Sequence, residues 1–99
     1  MITSKQRAYL RKLSHDMSPI FQIGKDGITE AVETALDEAL EKRELIKVHI
    51  LETALLDTRT ACDELAGELK AQPVQAIGSK FTLYRQSSDE KKRKIELPR

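Results

Sequence analysis

Two segments of this chain carry the same apolar rhythm, and each is followed by a short β-prone run. That pairing restricts the fold more than any other feature of the sequence. From Thr29 to about Arg43 the apolar positions are Ala31, Val32, Ala35, Leu36, Ala39 and Leu40, adjacent pairs recurring every fourth residue, which is the stripe of a helix with one buried side. Thr29 is the expected N-cap, and Lys42 with Arg43 suits the negative end of the helix dipole. Asp57-Thr58 opens a second helix, with Ala61, Cys62, Leu65, Ala66 and Leu69 in the same pattern. Gly67 inside it costs about 1 kcal/mol relative to alanine, so a close helix-to-sheet contact is expected there.

The intervening stretches read as strands. Leu45–Leu51 alternates, with Ile46, Val48 and Ile50 on one face and Lys47 and His49 on a wetter one. Ile20–Ile23 is short, apolar and β-branched at its ends, and Val74–Ile77 and Phe81–Arg85 form a pair joined by Gly78-Ser79, a turn with glycine first. Thr3 and Gln6 have the spacing of a capping box, opening an N-terminal helix to about Ser14, with Gln6, Tyr9, Leu10 and Leu13 as its packed stripe. Lys5 and Lys12 border that stripe on one side, Arg7 and Arg11 on the other, and His15–Pro19 ends the helix.

The fold class is therefore α/β, an α+β two-layer sandwich. An N-terminal helix precedes a β-α-β-α-β-β unit whose mixed four-stranded sheet carries both amphipathic helices on one face. With 99 residues the chain holds one core. Residues 1–86 are expected to form the domain and 87–99 a charged tail, with Asp89–Lys94 mobile and a short docked strand conceivable at 94–97. No apolar run is long enough to span a membrane, the N-terminus lacks a secretion signal, and Cys62 stands alone, so a cytoplasmic setting is expected.

The net charge of +1 hides a strong asymmetry. Residues 1–16 have four basic side chains against one acidic, residues 78–99 seven against three, and residues 28–70 only five against eleven. Two basic ends flanking an acidic body suggest contact with a polyanion. Gly24-Lys25-Asp26-Gly27 sharpens the suggestion: two glycines frame a tight turn whose amides can point outward, with a lysine between them and a helix starting just beyond. As the loop leaves the carboxyl end of the first strand, it lies where open α/β sheets bind ligands.

Catalytic chemistry has no visible seat. His15, His49 and Cys62 lack metal-ligand spacing, and no P-loop ending or Ser/His/Asp order is present, so neither catalytic residues, a metal nor a cofactor is expected. Glu33, Asp37, Glu38 and Glu41 recur on the outward face of one helix and read as solvation.

Pro19–Glu30, Glu44–Val48, and the ending Val74–Gly78 with Leu83-Tyr84-Arg85 together resemble the YhbY-like proteins, whose fold is the CRM (chloroplast RNA splicing and ribosome maturation) domain. The resemblance covers nearly the whole chain. It implies a sheet of strand order 1-2-4-3, similar to the C-terminal domain of translation initiation factor three, and an RNA-binding module associated with precursors of the large ribosomal subunit. The family's glycine loop falls on Gly24, Lys25, Asp26 and Gly27; Asp26 departs from the asparagine often found there, and a carboxylate opposes a bound phosphate.

On this reading the loop clasps one RNA phosphate while Lys5, Arg11, Lys12, Lys80 and Arg85 hold its neighbours. Tyr84, pointing away from Phe81 and Leu83, is a candidate to stack on a base, and Lys91–Lys94 a source of nonspecific affinity. The expected partner is ribosomal RNA, with a monomeric protein and neither membrane nor small-molecule substrate. The rival reading is a protein-interaction module that docks its acidic helix faces on a ribosomal protein or assembly factor.

Overall fold

The computed structural model describes residues 2–99. Helix α1 (Ser4–Ser14) is followed by β1 (Phe21–Ile23), α2 (Glu30–Arg43), β2 (Leu45–Ile50), α3 (Thr58–Leu69), β3 (Gln72–Ile77) and β4 (Lys80–Tyr84), with short 3₁₀ turns at Glu52–Ala54 and Glu90–Lys92. All three α-helices start where a side chain satisfies an orphan amide. Thr3 and Gln6 close the full capping box, Thr29 Oγ1 accepts from the Val32 N–H at 3.2 Å, and Asp57 accepts from the Thr60 N–H at 2.9 Å.

The sheet has the order β1-β2-β4-β3, with β1 parallel to β2 and the other pairs antiparallel. Alternation decides which residues reach the main core. Ile46, Val48, Ile50, Phe81 and Leu83 point to the face covered by α2 and α3, where they meet Leu36, Leu40, Ala61, Cys62 and Leu65. The remaining face is divided. At one end Leu45, Val74 and Tyr84 pack beneath Leu10 of α1, with Ile95 and Leu97 of the C-terminal segment alongside. At the other end it is open.

Two expectations are corrected by packing, and one left open takes a definite form. The stripe of α1 is turned: Leu10 and Ser14 are buried, whereas Tyr9 and Leu13 are exposed, because the helix meets the sheet along its Leu10–Ser14 line and is anchored by Gln6 to the Pro98 carbonyl (3.0 Å) and Arg7 to the Pro73 carbonyl (3.2 Å). Gly67 faces solvent, and a Cβ there would meet nothing within 4 Å, since the buried stripe of α3 runs through its neighbours Ala66 and Leu69. Residues 94–97 dock against the domain, but as irregular chain rather than as a strand, because their backbone amides bond to a side chain instead of a sheet edge. Among the described residues no helix is long and apolar enough to cross a membrane.

Candidate nucleic-acid interface

The chain leaves β1 at Ile23 and turns at once. The Gly27 N–H donates to the Gly24 carbonyl at 2.9 Å, closing a four-residue turn, and Gly27 holds φ at +69°, a conformation that side chains with a Cβ resist. The amides of Lys25 and Asp26, at the tip of this turn, make no hydrogen bond to any described residue. Both side chains are exposed. The loop therefore offers two bare N–H groups and an ammonium, set against one carboxylate, just ahead of the first turn of α2. Glu30 and Glu33 in that first turn add further negative charge, so the loop suits a phosphate shared with other cations better than one held alone.

Those cations come from the open half of the sheet. The Leu51 N–H donates to the Ile23 carbonyl (2.9 Å) and the Ile50 N–H to the Ser79 carbonyl (2.7 Å), so the glycine loop and the Gly78-Ser79 hairpin lie at the same end of the sheet. Lys80 follows that hairpin directly, paired in register with His49, while Lys47 pairs with Thr82 one row further in. The last turn of α1 borders this surface: Arg11, Lys12 and His15 line a groove with Gln75, and His15, Lys47, Gln75, Ile77, Lys80 and Thr82 line the next. The glycine loop and Lys80 thus share one end of the sheet, while Arg11 and Lys12 border its open face from the β3 edge, the edge opposite β1. Lys5 is exposed on the same helical stripe as Lys12, about 10 Å back along α1. Lys47, His15 and His49 belong to this surface although only the glycine loop and the basic termini are conspicuous in the sequence. The alternation of Leu45–Leu51, which sends Lys47 and His49 to the wetter face, is the signal that finds two of them.

Arg85 is elsewhere and is occupied. It stands at the opposite end of β4, about 17 Å of strand from Lys80. Its guanidinium donates to Asp37 Oδ1 (2.7 Å), to the Leu69 carbonyl (2.9 Å) and to the Asp37 carbonyl (3.0 Å), lies 3.6 Å from Glu41, and is only 19% exposed. The expected phosphate contact is replaced by a bond across the domain, and Asp37 and Glu41 are its anchors as well as solvated surface. Tyr84 is likewise corrected. It does point away from Phe81 and Leu83, but at 5% exposure it lies under α1 and Ile95, closed to any base.

The same end carries a clasp on the C-terminal segment. Glu44, at the C-cap of α2 with a positive φ of 67°, is fully buried, and its carboxylate accepts from the backbone N–H of Ser87 (2.8 Å), Lys94 (2.6 Å) and Ile95 (3.1 Å). Burial pushes its carboxyl up, but these three donors and the charge of Arg93 outweigh that and hold it below the ordinary range. Glu41 accepts from the Ser88 hydroxyl (2.6 Å), the Ser87 hydroxyl (2.9 Å) and the Ser88 amide (3.0 Å), which lower it from 4.5 to about 2. The run Asp89–Lys94 is thus tied down at its end, by the Lys94 amide on Glu44 and by Arg93, whose Nε donates to the Ser87 carbonyl at 2.9 Å, while the Lys91, Lys92 and Lys94 side chains are exposed.

Among the described residues no three His, Cys, Asp or Glu side chains meet as a metal site, and Cys62 lies in the core, where burial raises its thiol to about 11.

A basic sheet face with a glycine loop at its end can be set beside known proteins. The CRS1 / YhbY (CRM) domain family matches residues 2–85. The Bacillus subtilis protein YqeI, named a probable RNA-binding protein, is 41% identical over 98 residues, covering 99% of this chain and 100% of that one. A Haemophilus influenzae protein named an RNA-binding protein is 35% identical over 98 residues, covering 99% and 96%. The solution structure of a Staphylococcus aureus protein, 45% identical, superposes with a TM-score of 0.82 over 99% of this chain and 100% of its own. The family match covers most of the chain, and the chain belongs to the CRS1 / YhbY (CRM) domain family.

Proposed function

We propose that this protein binds RNA through the glycine loop and the adjoining basic sheet face, as a cytoplasmic monomer acting on ribosomal RNA during assembly of the large subunit. The observation that carries the RNA contact is the turn Gly24–Gly27, whose two unpartnered tip amides lie at the same end of the sheet as Lys80, beside an open face that Lys47 lines and that Arg11 and Lys12 border from the far edge. The names of the Bacillus and Haemophilus relatives support the same reading. Backbone phosphates bind to the loop amides and Lys25 at one end and to Lys80, Lys47, Arg11 and Lys12 across the face, with Lys5 extending the track. Arg85 is left out of the contact set, because its donors already serve Asp37 and Leu69. The ribosomal assignment rests on the family resemblance and is tested by crosslinking in cells and mapping the joined nucleotides.

The direct test is a titration of RNA against pure protein over a range of salt. With about five phosphate contacts, log affinity should fall against log salt with a slope of roughly −3 to −4. Lys25→Glu should weaken binding about tenfold or more with an unchanged melting temperature, and Asp26→Asn should strengthen it. A salt-independent affinity, or full binding by Lys25→Glu, would exclude the loop as the contact.

A further inference from the structure

The open half of the sheet is more than a patch of charge. In register across β2, β4 and β3 lie two rows of side chains on one face: Lys47, Thr82 and Gln75, then His49, Lys80 and Ile77. Adjacent strands are about 4.8 Å apart and alternate residues about 7 Å, so the six form a flat platform of about 10 Å by 7 Å. His15 at the end of α1 borders it, and the groove over it measures about 200 Å³. Its composition is uneven in a useful way. Lysine occupies one corner and the centre, Ile77 lies bare at 64% exposure, and His49 supplies a flat ring where the buried Tyr84 cannot. Gln75 brings an amide with both donors and an acceptor, while Thr82, only 2% exposed, forms the floor of the row.

Resting on the RNA reading above, we propose that this platform takes an unpaired nucleotide, so that the protein prefers single-stranded or looped RNA to a continuous duplex. A duplex keeps its bases stacked inside and would meet the lysines with its phosphates, leaving Ile77 and Gln75 without a partner. A splayed base uses both: its flat surface lies over Ile77 and its edge meets Gln75, with Lys80 and Lys47 holding the phosphates beside it, while the His49 imidazole, on the far side of Lys80 in the same row, receives the neighbouring base. The glycine loop at the same end of the sheet then receives the next stretch of backbone. The rival occupant, an acidic protein segment, would satisfy the lysines but has no aromatic requirement for His49.

The test compares the full-length protein against two RNA probes at equal salt: a hairpin with a single-stranded loop, and a fully paired blunt duplex of the same nucleotide count. The hairpin should bind about tenfold more tightly. Ile77→Ser and His49→Ala should each lower hairpin affinity by about three- to tenfold while changing duplex affinity by less than about twofold. The Ile77 methyl resonances should shift on addition of a short single-stranded oligonucleotide and not on addition of duplex. Equal affinity for the two probes, or unchanged hairpin binding by both variants, overturns the platform while leaving loop-mediated RNA contact in place. Failure of both probes to bind overturns the RNA reading and the platform together.

Discussion

Both ends of the sheet carry cations, and the fold does opposite things with them. At the Lys80 end, the glycine loop has bare amides and the lysines of β2 and β4 have no carboxylate within ion-pair distance among the described residues. At the Arg85 end, carboxylates of α2 engage both the arginine and the C-terminal segment. A cation is available to a ligand only where the fold does not already supply its counter-ion. The difference lies in the helix that covers each end, since Asp37, Glu41 and Glu44 all project from the second half of α2.

The sharpest way to break that contrast is to remove the clasp. Glu44→Ala leaves the Ser87, Lys94 and Ile95 amides without their acceptor, and bonds to a charged group are worth about 1.5–3 kcal/mol. Urea unfolding should show a loss of about 3 kcal/mol, and a parent-like midpoint would mean the clasp is not holding the chain. Acid should do the same thing reversibly. Glu41 and Glu44 are both held below the ordinary carboxylate range, so their contribution is complete above about 4.5 and is lost as pH falls, for Glu41 through about 2. The urea midpoint should therefore hold down to about pH 5 and drop between about pH 5 and about pH 2, and Glu41→Gln should flatten the drop. An acid-insensitive parent would contradict this.

Exchanging one end for the other gives a cleaner comparison. Arg85→Ala should cost about 2 kcal/mol of stability through the lost bonds to Asp37 and Leu69, with RNA affinity kept in the folded fraction. Lys80→Ala should do the reverse: stability within about 0.5 kcal/mol of the parent, and a salt slope shallower by about 0.7. If Arg85→Ala lost affinity without losing stability, the division between the ends would be wrong. The smallest effect is expected away from both. Gly67→Ala, on the exposed side of α3, should stabilise the protein by up to about 1 kcal/mol and leave binding untouched, as thermal melts and RNA titration can check.

How far these features are legible in the sequence follows the range of the interaction. The caps of α1, α2 and α3 are three-residue motifs, and Thr3, Thr29 and Asp57 all cap as their spacing suggests. Alternation likewise puts Ile46, Val48 and Ile50 in the core and Lys47 and His49 opposite. The turned stripe of α1 was not legible, because periodicity shows which residues share a side and not which part of it meets a sheet end already shared with Ile95 and Leu97. Gly67 misled for a similar reason, its neighbours being the ones that pack.

By itself the sequence determined the order of the elements, their caps, and the bend at Gly24–Gly27, because each depends on residues a few positions apart whose torsions and hydrogen bonds are local. Only the tertiary structure decided which cations face outward. Arg85 meets Asp37 across 48 positions of chain, and Lys94 meets Glu44 across 50. Pairings at such separations exist only after the sheet has formed and α2 has packed against it, so charge along the chain cannot distinguish a group that grips a ligand from one that holds the fold.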